Sequence, residues 1–158
     1  MISEQVSALL VAQVGHELGA HQKYIGISLY FARQSLRGWA RLFHQQATEE
    51  AGHAAKIMAF LIDNEIPFNL PSVGGASTTY NSATEAVQGA LASEQSVTAQ
   101  FSALATAAAT AGDHRSAQFL LWFIDEQVEE ESKMRGLLDL LASGINLFQA
   151  ESLLESME

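Results

Sequence analysis

The sequence predicts an all-α fold: a four-helix bundle built from two antiparallel up-down hairpins, with a long crossover between helices two and three. A short fifth helix follows at the C-terminus. Apolar residues recur at steps of three and four along four long segments, a spacing that places them on one side of an α-helix. The connection between the second and third segments contains both prolines, and strand-like alternation with Asn-Gly turns is absent from the sequence.

The first predicted hairpin joins a helix over residues 3–34 to a helix over residues 37–64 through a short turn. Residues 65–81 then form a loop that contains Pro67 and Pro71. A loop of this length inside a compact domain usually serves a purpose, and in a bundle it can connect opposite ends. We therefore expect it to be the crossover.

The second predicted hairpin has clear helix boundaries. Ser82 and Glu85 form a capping box that starts the third helix. Gly112, a residue type favoured just beyond a helix end, terminates it. Asp113 can cap the fourth helix, which ends near Gly144.

We expect one domain over residues 1–158, with the bundle at 3–143 and the short helix at 147–156. A helix of about ten residues is marginal alone, so its apolar side needs a partner in its own bundle or in a neighbouring subunit. The residues on that side are Leu147, Ala150, Leu154 and Met157.

Composition excludes several classes of protein. Hydrophobic residues make up 48% of the chain and charged residues 16%, which argues against disorder. No apolar run is long enough to span a bilayer, and the N-terminus lacks the basic start of a signal peptide, so we expect a cytoplasmic protein without a membrane partner. The absence of cysteine excludes thiolate metal sites, and the net charge of −10 argues against nucleic acid binding.

Acidic residues interrupt the apolar side of every long helix. Glu17, Glu50, Glu94 and Glu130 each lie near the middle of one predicted helix, and His53 follows Glu50 by one turn. Helices of similar length bring their midpoints together in a bundle whichever way they point. The four carboxylates and the imidazole should therefore meet in one layer of the core.

A buried group of carboxylates needs compensation. Moving one ionised carboxylate into the interior costs several kcal/mol, and these apolar sides contain no Lys or Arg to neutralise it. A neutral, protonated cluster is one solution, because burial raises the pKa of an acid. A divalent metal is the solution we favour, because it supplies charge to several oxygen atoms and neutral imidazole is a common ligand.

The spacing is typical of a diiron bundle, in which two helices each supply one Glu and two others each supply Glu-x-x-His. Glu50-Ala-Gly-His53 matches that motif, whereas the fourth helix carries Gln127 and Glu130 in its place. An all-oxygen second site with vacant positions suits iron that arrives, reacts and leaves. The predicted ligands are Glu17, Glu50 and His53 for one metal, and Glu94, Glu130 and a bridging Glu50 for the other.

Three further acids neighbour these positions. Glu49 precedes Glu50, Glu126 shares a helix face with Glu130, and Glu129 is offset from that face. We expect them to face inward and bind a third metal ion, although each alone also suits a solvent-exposed acid.

In these residues the chain resembles the bacterial non-haem ferritins over nearly its whole length. The resemblance implies a ferritin-like bundle, a homo-oligomeric shell of about 24 subunits, ferroxidase activity and iron storage, with a third iron at Glu49, Glu126, Glu129 and Glu130. It also implies roles beside the iron for Tyr24 and Gln127. Ala51 stands where bacterioferritins carry a haem-ligating Met, so no haem is expected. The matching residues are Glu17 with Tyr24, Glu49-Glu50-x-x-His53, Glu94-Gln95 and Glu126-Gln127-x-Glu129-Glu130.

The functional hypothesis is oxidation of Fe(II) by dioxygen or hydrogen peroxide, followed by storage of Fe(III) as a mineral inside the shell and so a part in iron homeostasis. Two alternatives remain at this stage. A diiron oxidase or peroxidase of another substrate can use the same bundle, and a structural bundle can lack metal altogether.

Overall fold

The computed structural model describes residues 2–157 and, within them, contains helices and no strand. The predicted fold class is confirmed. No helix in this part of the chain combines the length and the apolar character required to cross a bilayer. The elements are α1 (Glu4–Arg33), α2 (Arg37–Asp63), α3 (Ala83–Thr110), α4 (His114–Ala142), α5 (Leu147–Leu154) and a final 3-10 turn (Glu155–Met157).

The helix starts of the second hairpin follow the local signals. The side chain of Ser82 accepts a hydrogen bond from the backbone N–H of Glu85 at 3.0 Å. Asp113 caps α4 by accepting from the N–H of Ser116 at 2.9 Å. Gly112 adopts a φ of 65°, a left-handed conformation that glycine reaches without strain. These contacts set where α3 ends and α4 begins.

The crossover between α2 and α3 lies along α1. A Cβ added to Gly15 would approach the Cβ of Pro71 at 2.8 Å, and one added to Gly26 would lie 2.1 Å from the carbonyl oxygen of Ser77. Glycine at both positions lets the loop pack directly on the helix. Because the loop runs along α1 from its N-terminal half to its C-terminal half, α2 and α3 point in the same direction.

The core formed by residues 2–157 consists of two apolar clusters, one towards each end of the bundle. One contains Phe31, Trp39 and Phe43, and the other contains Phe101 and Phe123. Each long helix contributes to both clusters and carries a polar segment between them. The polar residues buried in this middle layer are Gln13, Glu17, Gln46, Glu50, His53, Glu94, Gln127 and Glu130.

The short α5 packs against its own bundle. Ala150 and Leu154 are 0% and 2% exposed, and the indole N–H of Trp39 in α2 donates to the carbonyl of Leu147 at 3.0 Å. The own-bundle alternative for its apolar side is therefore the one observed. Phe148, on the opposite side of α5, is 58% exposed.

Candidate metal centre

The four predicted core glutamates converge in the middle layer. Glu17 and Glu50 are 0% exposed, and Glu94 and Glu130 are 1% exposed. One ligand atom each from Glu17, Glu50 and His53 lie within 4.8 Å of one another, and the same holds for Glu50, Glu94 and Glu130. Glu50 belongs to both groups, the position that a carboxylate bridging two metal ions requires. We call these five residues the metal centre.

His53 lies between carboxylates and aromatic rings. Its Nδ1 is 3.2 Å from Oε2 of Glu50 and 3.6 Å from Oε2 of Glu17. The rings of Trp122 and Phe123 pack against the imidazole edge-to-face, with centroids at 5.5 and 6.0 Å. This packing holds the imidazole beside the two carboxylates and restricts water on that side.

Two carboxylate oxygens of the metal centre have no hydrogen-bond partner. They are Oε2 of Glu17 and Oε1 of Glu50, and both are buried. An unsatisfied polar atom of this kind costs about 1–3 kcal/mol, and more when the group is charged. A cation bound between the helices would satisfy both atoms, so the donor set fits a metal on structural grounds.

Gln127 and Tyr24 both donate to Glu94. Nε2 of Gln127 lies 3.1 Å from Oε2 of Glu94, and the Tyr24 hydroxyl donates to Oε1 of the same carboxylate. Gln127 also lies 3.3 Å from the hydroxyl of Thr98. The two residues predicted from the sequence therefore occupy both oxygens of Glu94 and restrict its rotation.

Sequence reasoning missed three polar neighbours of the carboxylates. Gln13 donates to Oε1 of Glu17 at 3.0 Å, and Gln46 donates to Oε2 of Glu130. Lys133 donates to the amide oxygen of Gln46 at 3.0 Å. A signal for the glutamines was available, because each occurs four residues before a metal-centre Glu on the same helix face.

The three additional acids differ in their placement. Glu126 is half-buried, and a ligand atom of its carboxylate lies within 4.8 Å of one from His53 and one from Glu130. The side chain of Glu49 is 44% exposed. Glu129 is exposed and belongs to none of the ligand groups in residues 2–157. The exposure of Glu49 and Glu129 departs from the expectation that all three face inward, although the Glu49 carboxylate still lies beside Lys133 and Glu130.

Burial favours the protonated form of three carboxyl groups in the metal-free centre, those of Glu50, Glu94 and Glu130. It raises the pKa of Glu50 well above its usual value and also raises the pKa of Glu94. Burial raises the pKa of Glu130 to about 8, against the nearby charge of Lys133, which lowers it. A metal ion binding here must therefore release protons.

The same carboxylates also shift the pKa values of His53 and Tyr24. Burial alone would lower the pKa of His53, but the neighbouring carboxylates of Glu17 and Glu50 raise it to about 10. Burial and the charges of Glu94 and Glu50 raise the pKa of Tyr24 well above 10. The Tyr24 hydroxyl therefore keeps its proton at neutral pH and remains a hydrogen-bond donor to Glu94.

The arrangement can hold two divalent cations that share one carboxylate. Carboxylate oxygens and one imidazole nitrogen suit iron, manganese or zinc, and the chain has no thiolate for softer ions. One group contains the imidazole and the other contains oxygen donors only. The two positions therefore differ in how firmly they fix a metal.

Comparison with known proteins identifies the relatives of this chain. Residues 7–143 match the family model described as a ferritin-like domain. Ferritin BfrB of Mycolicibacterium smegmatis is 36% identical over 145 residues, covering 91% of this chain and 80% of that protein. Ferritin BfrB of Mycobacterium tuberculosis strain Erdman is 34% identical over 146 residues (92% and 81%). The bacterial non-heme ferritin of Staphylococcus haemolyticus is 35% identical over 141 residues (89% and 85%).

Proposed function

Because this chain belongs to the ferritin-like family, we propose that it stores iron, oxidising Fe(II) to Fe(III) at the metal centre and depositing it as a ferric mineral inside a hollow oligomer. The names of its relatives support iron storage. The observation that carries the oxidation step is the pair of ligand groups that share Glu50, together with the two unpartnered buried oxygens. Iron is the substrate and cargo of this reaction.

In the proposed reaction, two Fe(II) ions bind roughly 3.5–4 Å apart, the usual separation in two-metal sites. Glu50 bridges them, and His53 with Glu17 fixes one ion. Each Fe(II) loses one electron, and one dioxygen accepts both electrons and two protons to give hydrogen peroxide. Hydrogen peroxide can instead be the acceptor and yields water.

The second ion binds to oxygen donors alone. Glu94 and Glu130 join Glu50 there, while Gln127 and Tyr24 hold Glu94 in one orientation. Without a nitrogen ligand this position fixes Fe(III) less firmly, which favours its release to the cavity. Weaker binding at the second position is what the proposal requires of a site through which iron passes.

A third iron site is proposed at Glu49, Glu126, Glu129 and Glu130. The short separation of Glu126 from Glu130 and His53 supports it. Glu49 and Glu129 are exposed, so they would serve as ligands on the solvent side of the site. Iron leaving the oxygen-only position would meet these acids first.

Assembly and location complete the proposal. Residues 1–158 form one ferritin-like domain, and about 24 copies close into a symmetric shell. The shell is cytoplasmic and takes up iron together with dioxygen or hydrogen peroxide. It carries no haem, because Ala51 stands at the position of the haem-ligating Met.

Sizing and iron titration test this function together. The purified protein is sized by light scattering and then titrated with Fe(II) in air, alongside Glu50→Gln and the surface control Asp139→Asn. We expect a shell of about 24 subunits that takes up iron well beyond three ions per chain, with oxidation lost in Glu50→Gln alone. A small oligomer saturating at two ions would instead indicate a non-storage diiron oxidase. Unchanged oxidation in Glu50→Gln would overturn the site.

A further inference from the structure

We propose that the ammonium group of Lys133 acts as an internal cation. It competes with the third metal ion for Glu49 and Glu130, which lie at the edge of the metal centre. The inference rests on the proposed function and concerns how one of its sites is regulated. By pairing with Glu49 in the absence of metal, Lys133 keeps the affinity of this position for metal low, so that iron passes through it.

The geometry links Lys133 to both acids. Its Nζ lies 3.6 Å from Oε2 of Glu49 and donates to Oε1 of Gln46 at 3.0 Å. The amide N–H of Gln46 in turn donates to Oε2 of Glu130. One ammonium group therefore interacts directly with Glu49 and, through a single amide, with Glu130.

The environment makes this charge effective. The Lys133 side chain is 16% exposed, while Gln46 and Glu130 are each 1% exposed. Water screens charges less at such a position than on the open surface. A divalent ion placed among the same carboxylates would be repelled by the ammonium group or would have to displace it.

Another cation on α4 has a different partner. Arg135 pairs with Glu131 one turn away, and its side chain is 53% exposed. Glu131 also accepts from Thr98 at 2.8 Å, between α3 and α4, on a side of α4 that Lys133 does not occupy. Arg135 therefore provides a matched control that changes the charge of α4 equally without touching Glu49 or Gln46.

The test counts metal ions without redox chemistry. Zn²⁺ binding to the assembled protein is measured by isothermal titration calorimetry for wild type, Lys133→Gln, Lys133→Arg and Arg135→Gln. Lys133→Gln removes the charge and keeps a polar side chain, whereas Lys133→Arg restores the charge. We expect the weakest Zn²⁺ site to tighten about tenfold in Lys133→Gln, as expected for loss of one charge a few ångströms from a divalent ion, and to stay near wild type in the other two variants.

The outcomes separate this inference from the proposed function. If the weakest site does not tighten in Lys133→Gln, or tightens equally in Arg135→Gln, Lys133 does not compete with metal. A site that tightens as much in Lys133→Arg as in Lys133→Gln also overturns the inference, because charge is then irrelevant. If wild type binds no Zn²⁺, the metal centre does not bind metal, and the proposed function fails as well.

Discussion

Replacing Glu50 by Gln should raise the stability of the metal-free protein and reduce the stability that the protein gains from metal. Glu50 is fully buried, its Oε1 has no hydrogen-bond partner, and burial raises its pKa well above the usual value. Without metal, the amide has no charge to bury, and its NH₂ group can take the place of Oε1 and donate to a neighbouring carboxylate. With metal, the same substitution removes the one residue that both ligand groups share.

The expected shift in melting temperature follows from the unpartnered Oε1 of Glu50. An unsatisfied buried polar atom costs about 1–3 kcal/mol. In a chain of this size, 1 kcal/mol shifts the melting temperature by about 2–4 °C, so metal-free Glu50→Gln should melt about 2–12 °C above metal-free wild type. Zn²⁺ at a hundred times its dissociation constant stabilises a binding protein by about 2.7 kcal/mol, or roughly 5–10 °C.

Scanning calorimetry with and without Zn²⁺ measures both effects, with Asp139→Asn as a control for the loss of one surface charge on α4. On addition of Zn²⁺, the melting temperatures of wild type and Asp139→Asn should rise by the same amount, while that of Glu50→Gln should rise less. The reasoning would be refuted if metal-free Glu50→Gln melted below metal-free wild type and Zn²⁺ raised its melting temperature as much as that of wild type. Glu50 would then neither destabilise the metal-free protein nor act as a shared ligand.

Three further predictions test other parts of the centre. In stopped-flow measurements, Glu17→Ala should slow aerobic Fe(II) oxidation at least about tenfold, which corresponds to about 1.4 kcal/mol of lost stabilisation. An unchanged rate would mean that Glu17 does not bind the metal. Tyr24→Phe should lower the free energy of unfolding of the metal-free protein by about 1–3 kcal/mol in urea, because Glu94 loses a donor; equal stability would contradict that contact. The pKa of Glu130 is about 8 in the folded protein against an ordinary 4.5, so the folded state binds this proton more tightly than the unfolded state does. Its contribution to metal-free stability is full below pH 4.5 and is lost as pH rises through 8. The free energy of unfolding of metal-free wild type should therefore be lower at pH 9 than at pH 5, and the difference should be smaller in Glu130→Gln. An identical difference in both proteins would mean that another group causes it.

Much of the fold was predictable because its signals are local. The capping contacts of Ser82 with Glu85, and of Asp113 with Ser116, involve residues three apart in the chain. The convergence of Glu17, Glu50, Glu94 and Glu130 was predictable for a related reason. Each interrupts an otherwise apolar helix face, and such faces must meet in the core.

The surroundings of the centre were predicted less well. Glu49 and Glu129 lie beside buried acids in sequence, and a small rotation about the helix axis decides whether such neighbours face inward or outward. Lys133 was missed because a long side chain can reach the centre from outside the apolar face. Its contact with Gln46 joins α4 to α2, two helices whose relative rotation no pattern within either helix encodes.

The helices, the crossover and the burial of the acidic layer can be read from the amino-acid sequence, because they depend on periodicity, on loop length or on contacts within one turn. The packed helices were needed to show that Gln13 and Gln46 hold two of the carboxylates, that Lys133 reaches Glu49, and that α5 packs against its own bundle. These contacts depend on the rotation and offset of packed helices, which follow from the fit of all their side chains at once.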